Sequence, residues 1–218
     1  MFVGHYGPSF AAKALKPAIP LWLLFIAVQL IDIFWAIFVL LGIEKVRVEP
    51  GITATNPLDL YYMPYTHSLL GSMLWSTGAL IAFRAIVKSG GWATAGIVGA
   101  ATFSHWLLDL LVHRPDLPLY DDTLKVGLGL WNFPAAAFGL EIALLIGGMI
   151  LYLKGSRSVA RGGGSSFWIF AVVMVFVQAS AFFGPPPPSG GTAAAMMLFS
   201  YIVFAAVAYW LDGKRAWL

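Results

Sequence analysis

Long apolar stretches separated by short polar ones set the plan of this chain. They run at about Pro20–Ile43, Ser68–Val87, Trp92–His113, Gly129–Leu153, Ser166–Gly184 and Thr192–Leu211. A helix needs ~20 apolar residues to cross a hydrocarbon core of ~30 Å, and each stretch is near or above that length. Within such a core a segment must satisfy its own backbone, which at these lengths means α-helices. The pattern predicts an all-α fold, a polytopic integral membrane bundle of six transmembrane helices forming one domain over residues 1–218. The first stretch is not a cleaved signal peptide: it is too long, lacks a convincing small-residue cleavage site and carries Asp32.

The polar segments fall into two kinds. One set is short and basic, with Lys13 and Lys16, Arg84 and Lys88, the Gly-Ser-rich Lys154–Ser165 linker with Arg157 and Arg161, and finally Lys214 and Arg215. The other set is longer, acidic and aromatic: Glu44–Thr66 and Arg114–Gly127, with only Lys45, Arg47, Arg114 and Lys125 as cations. Nine basic residues against four place the first set, and both termini, on the cytoplasmic side. Pro185–Pro188 makes a stiff turn between the last two spans. Those two spans carry no acid, lysine, arginine or histidine between Ser166 and Leu211, so they read as scaffold.

Composition narrows the class further. With 60% hydrophobic and 11% charged residues, a soluble globular domain is excluded. The net charge of +3 is spread over the loops and points to topology, not to a nucleic-acid partner. The lack of cysteine removes disulfides and thiolate ligands from consideration.

Before Pro20 the chain suggests a re-entrant arm. Gly7-Pro8-Ser9 suits a helix start, and Pro17 and Pro20 interrupt the helix after about Leu15. His5 lies 12 residues before Pro17 and Asp32 lies 12 after Pro20, so an arm turning at Lys16–Pro20 brings both to a similar depth. At 1.5 Å per residue that depth is about 18 Å from the turn. The competing reading is an interfacial tail with His5 in the cytosol.

Every histidine sits in a short polar island: Gly4-His5, Thr66-His67-Ser68, and Ser104-His105 continuing to Asp109 and His113. Ionisable groups at membrane depth face a cavity, a partner or an ion. His105, Asp109 and His113 recur at i, i+4 and i+8 and so share one helix stripe, and a histidine and an aspartate one turn apart can ligate the same divalent ion. The candidate metal ligands are His5, Asp32, His67, His105 and Asp109, with His113, beside Arg114 and Asp116, at the rim. Imidazole and carboxylate donors favour Zn²⁺, with Mn²⁺ or Fe²⁺ as alternatives. Glu141 in the fourth span is a candidate general base, a partner for a ligating histidine, or a salt-bridge residue. Arg114 and Lys125 are candidates to steady an anionic head group.

Gly4-His5, Asp32, Tyr65-Thr66-His67-Ser68-Leu69-Leu70 and Ser104-His105-Trp106-Leu107-Leu108-Asp109 occur in an order that resembles bacterial inner-membrane metal-dependent hydrolases. These are the LexA-binding inner-membrane hydrolase-like proteins, distantly similar to zinc-dependent phospholipase C. The resemblance covers roughly residues 1–115, leaving 116–218 as outer loop and scaffold helices. It implies metal ligation by His5, His67, His105 and Asp109, with Asp32 matching the first aspartate of the family's second motif. The sequence departs from the pattern at Ile33, Phe34 and Trp35, where further polar residues are expected, and at Met63 and Pro64, where Arg-Gly precedes the Thr-His-Ser element.

The leading expectation is a membrane-embedded hydrolase of an ester or phosphoester, carried by a lipid or lipid-linked phosphate, with its site toward the outer side of a bacterial inner membrane. The lipid bilayer is then its partner, and the aromatic Asn56–Thr66 loop its lid. A small ion, metal or proton-coupled transporter using the same His/Asp cluster is the alternative. A haem with His67 and His105 as axial ligands is disfavoured by the crowding charges of Asp32 and Asp109.

Overall fold

The computed structural model describes residues 1–88, 90–159 and 163–218, so Arg161 of the basic linker lies outside the described residues. A single 3-10 turn, Val3–His5, leads into α1 (Tyr6–Leu15). There follow α2 (Leu21–Val28), α3 (Leu30–Leu40), α4 (Leu69–Ile86), α5 (Gly91–Val112), α6 (Pro134–Lys154), α7 (Gly163–Phe183) and α8 (Gly190–Asp212). Helices α4 to α8 are each long and apolar enough to cross a membrane, and α2 with α3 forms a further, broken span. The chain is a multi-pass helical membrane protein, with α1 as the expected arm.

The expected first helix, Pro20–Ile43, is two helices bent by 55° at Gln29. Neither proline nor glycine causes the break. The last carbonyls of a helix have no partner within it, and Val28, ending α2, gives its carbonyl to His105 Nδ1 at 2.7 Å. A side chain thus takes up a backbone group that a continuous helix would have used.

α1 packs along α6, backbone against backbone. A Cβ on Gly7 would meet the Leu144 carbonyl, and one on Gly148 would meet the carbonyl of Gly7. Small residues let helices approach closely where hydrophobic exclusion of water gives no help. At the far end of the arm Lys13 is buried against Asp212 at 2.9 Å and donates to the Pro17 carbonyl. Asp212 also accepts from Tyr152 Oη and from Leu21 N, an amide in the first turn of α2 that has no partner within its helix. The Lys16–Pro20 turn is therefore tied to the end of α8.

Two apolar clusters fill the interior. One, around Phe10, Phe25, Tyr152 and Phe167, closes the half of the bundle that holds α1. The other, around Trp35, Met63, Val112 and Trp131, surrounds the polar islands. α4 lies along α5, and both halves of the broken span pack on α8. The loop after α3 carries an antiparallel hairpin that the helical pattern did not predict, β1 (Lys45–Val48) with β2 (Leu58–Tyr62). A second small pair, β3 (Ser156–Ser158) and β4 (Arg215–Trp217), joins the ends of α6 and α8.

Candidate metal centre

The Thr-His-Ser element gives three neighbouring residues three tasks. Ser68 caps α4, accepting from Gly71 N at 2.9 Å. Thr66 Oγ1 donates to Glu44 at 2.6 Å and meets His67 Nδ1 at 2.8 Å. His67 turns its Nε2 inward, to 3.1 Å from Asp32 Oδ1 and 3.7 Å from Asp109 Oδ2. Trp106 Nε1 holds the His67 carbonyl at 3.0 Å. Glu44 also takes the amides of Tyr65 and Thr66, and burial pushes its carboxyl above the usual range.

His105 comes from the middle of α5, facing the bend. Because a carbonyl only accepts, its Nδ1 is the donor to Val28. Its Nε2 points at Asp109 Oδ2 (3.1 Å) and Asp32 Oδ1 (3.4 Å), yet is buried without a hydrogen-bond partner. His5, brought in by the arm, stacks on His105 with ring centroids 3.8 Å apart and reaches Asp109 Oδ1 at 3.1 Å. The depth matching of His5 and Asp32 thus places both beside His105. The Met1 backbone nitrogen also lies 2.5 Å from Asp109 Oδ1. His113, expected at the rim, is buried: its Nδ1 is 2.8 Å from Asp116, its ring packs on Trp131, and its Nε2 is 3.8 Å from Asp109 Oδ2.

The arrangement has a common logic. His67, His105 and His113 each direct Nδ1 outward to an oxygen acceptor, which leaves the Nε2 lone pair facing carboxylate oxygens. Buried carboxylates and imidazoles that converge in this way need protons between them or a cation. Orientation of a ligating histidine through its other nitrogen is what metal sites use to set tautomer and aim. Two groups have ligand atoms within 4.8 Å of one another: Asp32, His67 and His105, and His5, His105 and Asp109. The buried cluster has donors at a spacing that could hold one metal ion, or two bridged by a carboxylate such as Asp109. A porphyrin does not fit between His67 and His105, since Asp32 Oδ1 lies within 3.4 Å of both Nε2 atoms.

The remaining candidates lie further out. Glu141 is fully buried and accepts from Phe2 N, Gly4 N and Gln178 Nε2, so it clamps the arm. Arg114 pairs with Asp59 and, at 3.2 Å, with Asp116; Lys125 pairs with Asp122 at 2.8 Å and the Tyr61 carbonyl at 3.0 Å. Both brace the loops after α3 and α5, and neither is among the residues lining the cavity.

The last two spans are more than scaffold. Tyr201 of α8 donates to Asp32 Oδ2 at 2.6 Å, and Gln178 of α7 bridges Glu141 and Val3 N. Neither residue carries a charge or a periodic partner that marks it in the sequence. A cavity of about 300 Å³ touches Asp32, His67, Asp109 and His113, and runs under the hairpin toward α7 and α8.

No family model, curated protein or solved structure matches the chain.

Proposed function

We propose that this chain is a metal-dependent hydrolase of a bacterial inner membrane, cleaving an ester or phosphoester at a His/Asp-bound ion, Zn²⁺ in the first instance. The observation that carries the reading is the convergence of the His67 and His105 Nε2 atoms on Asp32 and Asp109 in the wall of a cavity. The orphaned Nε2 of His105 fits a cation there, and N/O donors suit zinc. A bound divalent ion supplies Lewis-acid polarisation of the scissile oxygen and acidifies water at the site. His67 and His105 are its primary holders, with Asp32 fixed by Tyr201 and Asp109 shared with His5. The resemblance of the Gly-His, Thr-His-Ser and Ser-His-x-x-x-Asp elements to inner-membrane hydrolases points the same way.

A transporter would require a polar route onward from the cluster. The half of the bundle around α1 is instead filled by aromatic packing, such as Phe10 edge-on to Phe25 at 5.2 Å, which supports a dead-end site.

Metal analysis of purified protein beside His67→Ala and Asp109→Ala tests the reading. Stoichiometric zinc in the parent, lost in both variants, is expected, together with metal-dependent turnover of an ester or phosphoester panel. Unchanged metal content in both variants overturns the site. Metal flux into proteoliposomes without turnover overturns the hydrolase.

A further inference from the structure

The cavity has walls of two kinds. At its inner end stand Asp32, His67 and Asp109; beyond them the lining is largely apolar, with Leu60 and Trp131 on one side and Val177, Phe182 and Met197 on the other. It then reaches residues of α7 and α8 that are exposed on the outside of the bundle. Ser180 and Ala181 of α7 and Met196 of α8 line it, and Met196 is 60% exposed. Their neighbours Phe176 and Phe199 are 72% and 68% exposed, on faces that in a membrane-spanning pair meet lipid. Pro185 and Pro187 of the connecting turn and Asn56 and Pro57 of the hairpin loop also line the cavity, so the opening lies between the two spans at the end where that turn joins them.

Size limits the occupant. At about 300 Å³ the cavity is at the small end of ligand sites, which run from ~300 to 1,000 Å³. It cannot enclose a two-chain lipid. It can hold an ester and the first part of one chain, provided the rest leaves through the gap into the bilayer.

We infer that the cleft between the C-terminal half of α7 and the N-terminal half of α8 is a lateral port, through which a membrane lipid places its acyl ester at the His/Asp cluster while its chain stays partly in the bilayer. This rests on the hydrolase reading for the chemistry, but not for the binding. The hydroxyls of Ser180 and Ser200 along the path suit the glycerol ester region of such a ligand, and the apolar wall suits its chain. A water-soluble phosphoester would gain nothing from that wall or from an opening onto lipid.

Photolabelling tests this on the intact chain in phosphatidylethanolamine vesicles doped with a phospholipid bearing a diazirine a few carbons from its acyl ester. Label on Leu60, Trp131 and Met197 is expected, with loss of that label in Ala193→Trp, which plugs the cavity between α7 and α8. Ser200→Trp provides a second plug should the first fail to fold. Label confined to Phe176, Phe199 and Ile202, the bilayer-facing positions, overturns the port. Zinc content measured on the same samples separates the two readings. A labelled cavity in a protein without metal removes the hydrolase and leaves the port. Bound metal with label only outside removes the port and leaves the hydrolase.

Discussion

Tyr201 shows how much of a buried site is held by groups that carry no charge. Its hydroxyl takes one oxygen of Asp32 at 2.6 Å, leaving the other to face His67 and His105. Removing it leaves a buried carboxylate oxygen unsatisfied, at a cost of ~1–3 kcal/mol, and frees the aspartate to turn. Tyr201→Phe should weaken metal binding by ~10–100-fold, as loss of such supporting partners does elsewhere, with the helical content unchanged; competition with a chromophoric chelator measures it. An unchanged affinity would make Tyr201 a packing residue. At this scale the sequence was informative where charge met periodicity. His105, Asp109 and His113 announce themselves by falling on one stripe, and His67 by standing in a polar triplet. Tyr201 and Gln178 were silent, because neutral polar residues such as Ser180 and Ser200 are scattered through the same apolar runs and nothing in the pattern singles these two out. Glu44 and Asp116 lie in loops, where acids are common, and only the folded chain brings them to Thr66 and His113.

Among the elements, the arm and the broken span do the positioning. Hydropathy showed where helices run, because apolar length is what the bilayer selects, and Pro17 with Pro20 marked the turn. It could not show the bend at Gln29, whose cause is a histidine 76 residues further along the chain. Nor could it show the β1–β2 hairpin, whose cross-strand partners lie across a loop. The arm's seat on α6 depends on the absence of side chains at Gly7 and Gly148. Gly148→Leu should therefore destabilise the fold by ~1–3 kcal/mol or more, the usual range for overpacking, and displace His5 from Asp109. Gly147→Leu, one residue away, adds a Cβ with nothing within 4 Å and serves as the control. A detergent-solubilised thermal melt of the pair checks this, and equal midpoints would show that the approach is not needed.

For the whole molecule, the distribution of Lys and Arg sets the expected orientation, with the hairpin and cavity on the outer side. The chain lacks cysteine, so single cysteines report directly. Exposed Glu49→Cys in the hairpin loop should react with a membrane-impermeant maleimide in intact cells, and exposed Arg157→Cys only after permeabilisation. The reverse pattern would turn the protein over in the bilayer and place the port in the inner leaflet.

Asp32 and Tyr201 are separated by 169 positions, and Val3 and Gln178 by 175. During synthesis, therefore, polar groups of the arm and of α3 wait for α7 and α8 before they are satisfied. Until α8 is in place, Asp32 lacks its hydroxyl partner, and the arm lacks its anchors at Asp212. The polar contacts around Asp32 and the arm are therefore complete only when α7 and α8 have joined the bundle.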